Sequence, residues 1–266
     1  MYQTTYHRAS TVDEAVSLFG KSSDAKFLAG GQTLLPVMKQ RLANPSDVID
    51  LGKIKELQGI ELSGDVLTIK AGTTYYDIMQ SAEVKKAIPA IAHLTSVLGD
   101  PAVRYRGTIG GSIANNDPAA DFPAALLALG ATVKTNKRSI AAADFFKGLF
   151  TTALEDGEII TAVAFPVPEK AGYEKMRHPA SRFALTGVFV AKTKSGEIRV
   201  AATGASQSGV MRVAAIEAAL TSNWSPSALD SITIPPSGLL ADIHGTAEYR
   251  ANLVKVMAQR AVAAAG

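Results

Sequence analysis

The sequence of 266 residues contains no cysteine. This absence excludes disulfide bonds, thiolate zinc sites and iron–sulfur clusters held by cysteines of the chain itself. No apolar run reaches the roughly 18 residues that a membrane-spanning helix requires, and residues 1–10 lack the apolar core of a secretory signal. We therefore predict a cytoplasmic protein that has no transmembrane segment and holds no metal ion of its own.

An excess of one charge is also missing, because 27 lysines and arginines are set against 24 aspartates and glutamates. The basic residues form no cluster of the kind that follows a nucleic-acid backbone, so nucleic-acid binding is not expected. Four histidines are present, and none lies in an H-E-x-x-H zinc motif. We interpret these as surface or structural residues: His7, His93, His178 and His244.

What the chain does contain is a mixture of short helix and strand patterns. A capping box at 11–14 opens a predicted helix that runs to residue 19, and other helices are predicted at 34–41, 75–81, 89–98, 122–129, 212–220 and 248–264. Strands are predicted at 26–29, 47–51, 60–63, 66–71, 173–177, 185–193 and 197–202. Because these patterns do not alternate strictly as βαβ units, the predicted fold class is α+β. After Pro166-Val-Pro168 the pattern changes to a run of predicted strands followed by helices. This change indicates a domain boundary near residue 168.

Two glycine-rich segments are the best candidates for a binding site. Residues 29–33 read Ala-Gly-Gly-Gln-Thr between a predicted strand and a helix, and residues 107–112 read Gly-Thr-Ile-Gly-Gly-Ser. Neither matches the Rossmann or the Walker pattern. Paired glycines nevertheless allow close backbone approach and positive φ, and successive N–H groups can converge on anionic oxygens. These properties favour a diphosphate site but leave open two structural turns, and they do not select FAD over another phosphate ligand.

Longer stretches around both segments resemble signatures of one family. Residues 27–39 read Phe-Leu-Ala-Gly-Gly-Gln-Thr-Leu-Leu-Pro-Val-Met-Lys. Residues 104–123 read Arg-Tyr-Arg-Gly-Thr-Ile-Gly-Gly-Ser-Ile-Ala-Asn-Asn-Asp-Pro-Ala-Ala-Asp-Phe-Pro. Both are similar to the FAD-binding subunit of the xanthine dehydrogenase and carbon monoxide dehydrogenase family, above all to medium subunits of the carbon monoxide dehydrogenase type. The likeness continues at 173–175 and 245–250, so it spans almost the whole chain.

The resemblance implies a fold and a set of site residues. Residues 1–167 would form a two-lobed FAD-binding domain of the vanillyl-alcohol-oxidase (PCMH) type, split near residue 55, and residues 168–266 a smaller α+β domain. The first segment would wrap one side of the FAD diphosphate with Ala29, Gly30, Gly31, Gln32, Thr33 and Leu34. The second would wrap the other side with Thr108, Gly110, Gly111 and Ser112.

Further contacts follow from the same resemblance. Asn115 would lie near the adenosine half of FAD, and Asp121 would bond to its polyol or ribose. Ile159 and Ile160 match an aliphatic pair against the ring system or the adenine, and Lys175 matches a lysine close to the flavin. No residue is assigned a catalytic role. The chain departs from many relatives at Tyr105, where they have Asn, and at Asn115, where they have His.

Several of these residues have a plainer interpretation. Asp121 precedes a predicted helix and could serve as its N-cap, while Lys175 could be a solvated charge on a strand. Tyr75 and Tyr76 could form a ring-stacking pair, although packing in a core or interface is the stronger interpretation. Arg104 and Arg106 flank the second segment, and their partners are not determined by the sequence.

The family implies an electron-transfer function. Substrate would be oxidised at a molybdenum cofactor on a large partner subunit, and electrons would pass through [2Fe–2S] clusters on a small partner to FAD on this chain and then to an external acceptor. The expected assembly is a dimer of heterotrimers. Two alternatives remain, a nucleotide- or CoA-binding module without redox chemistry and a stand-alone flavin oxidase. The substrate and the final acceptor are not encoded in this chain.

Overall fold

The computed structural model describes residues 1–265 and contains strands and helices in a mixed order. The strands are β1 (Thr5–Arg8), β2 (Ala25–Leu28), β3 (Asp47–Asp50), β4 (Ile60–Ser63), β5 (Val66–Lys70), β6 (Thr132–Thr135), β7 (Ser139–Ala141), β8 (Phe146–Gly148), β9 (Thr151–Thr152), β10 (Ile160–Pro166), β11 (Lys170–Arg177), β12 (Ala184–Lys192), β13 (Ile198–Ser206) and β14 (Gly209–Arg212). The helices are α1 (Val12–Lys21), α2 (Leu34–Lys39), α3 (Tyr75–Gln80), α4 (Ala82–Ala87), α5 (Pro89–Ser96), α6 (Pro101–Arg106), α7 (Ile109–Asn115), α8 (Phe122–Leu129), α9 (Ala142–Phe145), α10 (Ala214–Ser222) and α11 (Ala247–Ala264). The predicted α+β class is confirmed.

Three sheets follow one another along the chain. The first is parallel with the order β1-β3-β2. The second is antiparallel with the order β4-β5-β10-β6-β7, so β10 joins two hairpins. The third is an antiparallel sheet of β11 to β14 in chain order, and β8 and β9 form a separate hairpin. The elements predicted from periodicity are all present, with ends that differ by a few residues.

The third sheet is covered on both faces. Val188 and Val190 pack in one hydrophobic cluster with residues of α10 and α11, whereas Phe189 and Ala191 belong to the cluster that contains α8 and the second sheet. This division follows from the alternation of side chains along strand β12. The sheet is thereby fixed between helices, and its strands can hold side chains at defined positions.

Helix α8 is enclosed where the second and third sheets meet. It contacts β10 of the second sheet and β12, β13 and β14 of the third, and all its residues except Leu127 are buried. A helix that is apolar all round requires such an enclosure. The residue before this helix, Asp121, therefore lies at the junction of two sheets. Among the described residues, no helix has the length and apolar character needed to cross a membrane.

Candidate functional site

The first glycine segment joins β2 to α2, and both of its glycines are required by local geometry. Gly31 has a φ of 73°, in the left-handed region that favours glycine. A Cβ atom added at Gly30 would overlap the carbonyl oxygen of Arg106. The segment therefore adopts a tight turn that also packs directly against the end of α6.

The backbone of this segment offers uncommitted hydrogen-bond donors. The N–H groups of residues 30–34 donate to no described residue, and Thr33 makes no capping hydrogen bond with its side chain. Gln32 and Thr33 are exposed. Since backbone N–H groups in folded proteins are almost always paired or in contact with solvent or a ligand, a run of free donors at a glycine turn provides the arrangement that binds anionic oxygens.

The second segment is different, and the expectation of a loop with free N–H groups is wrong there. Its residues form the start of helix α7, where Thr108 accepts a hydrogen bond from the N–H of Gly111 at 3.1 Å. The N–H of Gly110 donates to the carbonyl of Ala71 at 2.9 Å, and that of Ile109 to the carbonyl of Thr73. These donors dock the helix onto the chain after β5, so they are not available to a ligand.

The two segments lie side by side. Gly30 contacts the backbone of Arg106 and Gly107, and a Cβ atom at Gly111 would lie 3.8 Å from the Cβ of Ala29. The structure thus unites the predicted residues of both segments in one surface, although they are far apart in the sequence. The turn supplies free N–H groups, and the start of α7 supplies hydroxyl groups.

A buried charged pair lies at the junction where α8 begins. Asp121 is 3% exposed and Lys175 is 8% exposed, and the Lys175 Nζ is 2.7 Å from the Asp121 Oδ1. The Tyr173 hydroxyl donates to the same Oδ1. Lys175 is therefore not a solvated charge. Asp121 is not a helix cap either, because its side chain accepts no capping hydrogen bond.

The Lys175 ammonium is incompletely satisfied. Despite the short distance to Asp121, the approach lies outside hydrogen-bonding angles, and Nζ makes no hydrogen bond to any described residue. An ammonium has three donors, and a buried donor that lacks a hydrogen-bond acceptor is costly even when an opposite charge lies close by. This pair therefore indicates a position at which a further acceptor is expected.

Burial also fixes the protonation of two tyrosines near this pair. Burial, together with the Asp121 carboxylate, raises the pKa of Tyr173 well above its usual value. Burial raises the pKa of Tyr75 to about 12, and Asp121 contributes in the same direction. Both phenols are neutral at physiological pH, so Tyr173 acts as a hydrogen-bond donor to Asp121.

The aliphatic pair predicted to touch the cofactor is buried in two different cores. Ile159 packs with Ile49 and Ile54 against the first sheet, whereas Ile160 belongs to the core of the second sheet. Asn115 is half-buried at the end of α7. Their contacts with a cofactor remain predictions.

Tyr75, Tyr76 and Arg104, whose partners the sequence left open, have local partners. Tyr75 packs on Phe122 with ring centroids 5.6 Å apart, which confirms the core interpretation for that residue. Tyr76 stacks on the exposed Tyr105 at 4.1 Å. Arg104 donates to the carbonyls of residues 98 and 99, so its role is to hold the turn before α6.

Sequence reasoning did not assign a role to Tyr173 or Thr203. Tyr173 could have been found, because side chains two apart on a strand share a face and Lys175 is its neighbour in that sense. Thr203, whose hydroxyl lies 2.6 Å from the carbonyl oxygen of Ala120, carries no such signal. Among the described residues, no group of three histidines or acidic residues could hold a metal ion.

The chain is similar to known proteins along almost its whole length. The family model described as the FAD binding domain in molybdopterin dehydrogenase matches residues 2–168. The carbon monoxide dehydrogenase medium chain of Afipia carboxidovorans is 36% identical over 97% of this chain and 94% of its own length. The nicotine 6-hydroxylase medium subunit of Paenarthrobacter nicotinovorans is 35% identical over 98% and 96%.

A solved structure extends the likeness to the whole fold. The carbon monoxide dehydrogenase of Hydrogenophaga pseudoflava, in a form that lacks the Mo-pyranopterin moiety of its molybdenum cofactor, contains a chain with a TM-score of 0.87 at 36% identity, covering 99% of this chain and 97% of that chain. The chain described here therefore belongs to the family that carries the FAD-binding domain of molybdopterin dehydrogenases, and the resemblance found in the sequence is confirmed. It is an oxidoreductase subunit whose cofactor is FAD.

Proposed function

We propose that this chain is the electron-transfer subunit of a molybdenum hydroxylase complex. Electrons would reach its FAD from [2Fe–2S] clusters on a small partner subunit and leave to an external acceptor, while substrate is oxidised at the molybdenum cofactor of a large partner. The complex would be a cytoplasmic dimer of heterotrimers. Support comes from relatives that are named as medium chains or medium subunits of dehydrogenases and hydroxylases, and from the absence of cysteine ligands in this chain.

One observation carries the proposal most directly. The unpaired N–H groups of residues 30–34 lie beside the start of α7, and a diphosphate provides the anionic oxygens that such donors require. The hydroxyls of Thr33, Thr108 and Ser112 would complete this cradle from both sides. Thr108 already accepts from Gly111, so its own O–H remains available as a donor.

The buried pair at Asp121 and Lys175 would serve the remainder of the cofactor. Asp121 would accept a hydrogen bond from a polyol or ribose hydroxyl, and the Lys175 ammonium would donate to the flavin. Bound FAD supplies the capacity to take up electrons singly and release them in pairs. The part of this chain is to hold that group in a water-poor junction between residues 1–167 and 168–266, which we propose as the two domains.

A stand-alone oxidase is the alternative that an experiment should exclude. The full chain, purified alone, should be yellow and should release FAD on denaturation, as identified by chromatography and absorbance. It should fail to oxidise an organic substrate without the partner subunits. A colourless preparation that does not bind added FAD would contradict the proposed function, and turnover of an alcohol or aldehyde by the isolated chain would support the oxidase.

A further inference from the structure

Tyr173 is not one of the residues predicted to contact the cofactor, but its side chain forms a hydrogen bond with one of them, Asp121. Its hydroxyl is buried and donates to Oδ1 of Asp121. Lys175 approaches that same oxygen. The other carboxylate oxygen, Oδ2, accepts a hydrogen bond from no described residue. The carboxylate therefore has one oxygen held by the protein and one left for another donor.

The strand next to Tyr173 makes room for this hydroxyl. Gly187 lies on β12, opposite Lys175 in the register of the sheet. A Cβ atom added there would lie 2.5 Å from the Tyr173 hydroxyl oxygen and 3.2 Å from Cγ2 of Thr203. Glycine inside a strand is unfavourable unless close packing requires it. Gly187 is therefore explained by the Tyr173 hydroxyl, which occupies the space that a side chain at position 187 would need.

The backbone before Asp121 is held by the third sheet as well. The Thr203 hydroxyl lies 2.6 Å from the carbonyl oxygen of Ala120, and the N–H of Gly204 donates to the carbonyl of Pro118 at 2.8 Å. With the backbone anchored, the remaining freedom of Asp121 is rotation of its side chain. The hydrogen bond from Tyr173 removes that freedom.

We propose that Tyr173 is a positioning residue, which holds Asp121 so that Oδ2 faces a hydroxyl of the cofactor, and that Gly187 provides the clearance for this contact. The inference rests on the proposed function, because it takes Asp121 as a ligand of FAD. It goes further by naming two residues of the third sheet that act through Asp121 rather than on the cofactor itself.

The test is a double-mutant cycle on the full chain, stripped of FAD and titrated with FAD while flavin fluorescence is recorded. Tyr173→Phe should raise the Kd for FAD about tenfold, as expected for a lost hydrogen bond to a charged group. Asp121→Asn should raise it at least as much, and the double variant should equal Asp121→Asn alone. Tyr6→Phe is the matched control, since it removes a tyrosine–aspartate hydrogen bond on the first sheet.

A second pair of variants keeps the test valid if Tyr173→Phe does not fold. Gly187→Ala should weaken FAD binding to a similar extent, because its methyl group would displace the Tyr173 hydroxyl. Its double variant with Asp121→Asn should equal Asp121→Asn alone, because both substitutions act through the same carboxylate. An unchanged Kd in Tyr173→Phe, or effects that add in the double variant with Asp121→Asn, would overturn the positioning role. Failure of the wild-type chain to bind FAD would instead contradict the proposed function.

Discussion

At the scale of single residues, the glycines of the two segments are required for different reasons, which are packing within the protein and the approach of a ligand. Gly30 and Gly110 are needed by the protein itself, because a side chain would collide with the backbone of Arg106 or Ala71. The packing of the protein restricts position 111 less, since a Cβ atom there would meet only the Thr108 Oγ1 at 3.0 Å and the Ala29 Cβ at 3.8 Å. Its glycine is better explained by the close approach of a ligand.

Gly111→Val should therefore affect cofactor binding more than folding. The valine would fill the space beside Ala29 and block two or more hydrogen bonds to the diphosphate, each worth about 1.5 kcal/mol, so the Kd for FAD should rise about 100-fold. Gly20→Val is the control, because Gly20 is also helical and has no atoms within 4 Å of an added Cβ. If Gly111→Val retains full FAD content in equilibrium dialysis, the second segment does not face the diphosphate.

Lys175→Met tests whether the buried ammonium is close to the flavin. Removing a positive charge makes negative charge on the ring less favourable, and the loss leaves Asp121 without its counter-ion, which acts in the same direction. The gross Coulomb interaction is roughly 4 kcal/mol at ~4 Å and an effective dielectric constant of ~20. The midpoint potential of the flavin should fall, while the diphosphate anchors keep FAD bound.

A redox titration at equal flavin loading measures this change. Lys194→Met serves as the control, because Lys194 is an exposed lysine that pairs with Asp65 rather than with Asp121. A potential that is equal in wild type and Lys175→Met would place Lys175 away from the ring and leave it a structural partner of Asp121.

At the scale of elements, two failures of the sequence prediction have physical causes. Strand β10 was missed because it lies between two hairpins and is buried on both faces, so its residues show a continuous apolar run rather than an alternation. Helix α7 was missed because Gly110 and Gly111 have low helix propensity. Packing against Ala71 and the cap at Thr108 override that propensity.

The candidate site, like the fold, could be predicted from the sequence only in part. Family likeness pointed to the glycine segments, Asp121 and Lys175, and the fold places the glycine segments together and Asp121 beside Lys175. The clearance at Gly187 was not predictable, because it depends on which residue of β12 lies opposite Lys175. Cross-strand register is a tertiary property that a single sequence does not determine.

The free energy of unfolding should depend on pH through Glu158, which lies in the turn before β10. Glu158 accepts hydrogen bonds from Arg138 and Thr135, and these contacts, Arg138 first, lower the pKa of Glu158 from 4.5 to about 2. A lowered folded-state pKa gives stability that is present above pH ~4.5 and is lost as the pH falls towards ~2.

Glu158→Gln should remove this contribution. The midpoint of urea unfolding, followed by circular dichroism, should fall at pH 7 by an amount equivalent to about 1.5–3 kcal/mol. The decline of the wild type in acid should become shallower in the variant. Glu61→Gln is a suitable control, because Glu61 is an exposed glutamate of β4. Parallel acid profiles for wild type and Glu158→Gln would show that the turn does not depend on this carboxylate.

At the scale of the whole molecule, the chain is predicted to work only within a larger complex. A native, untagged preparation should contain this chain together with a [2Fe–2S] protein and a larger molybdenum-containing subunit, in equal amounts by mass spectrometry and metal analysis. The reason is that the chain has no cysteine, so any iron–sulfur cluster that passes electrons to its FAD must lie on another chain. Recovery of this chain by itself, fully active on an organic substrate, would contradict the relay.

The pairing of Asp121 with Lys175 has a consequence for how the subunit matures. The two residues lie on opposite sides of the Pro166-Val-Pro168 segment, so a cofactor that contacts both would act as a clamp across that segment. Anything that binds only the closed arrangement stabilises it by mass action. Hydrogen exchange of β11 and of residues 117–121 should therefore slow together when FAD is added. A newly made subunit would then reach its stable, closed arrangement only after it has bound FAD. Assembly with the partner subunits would follow FAD binding.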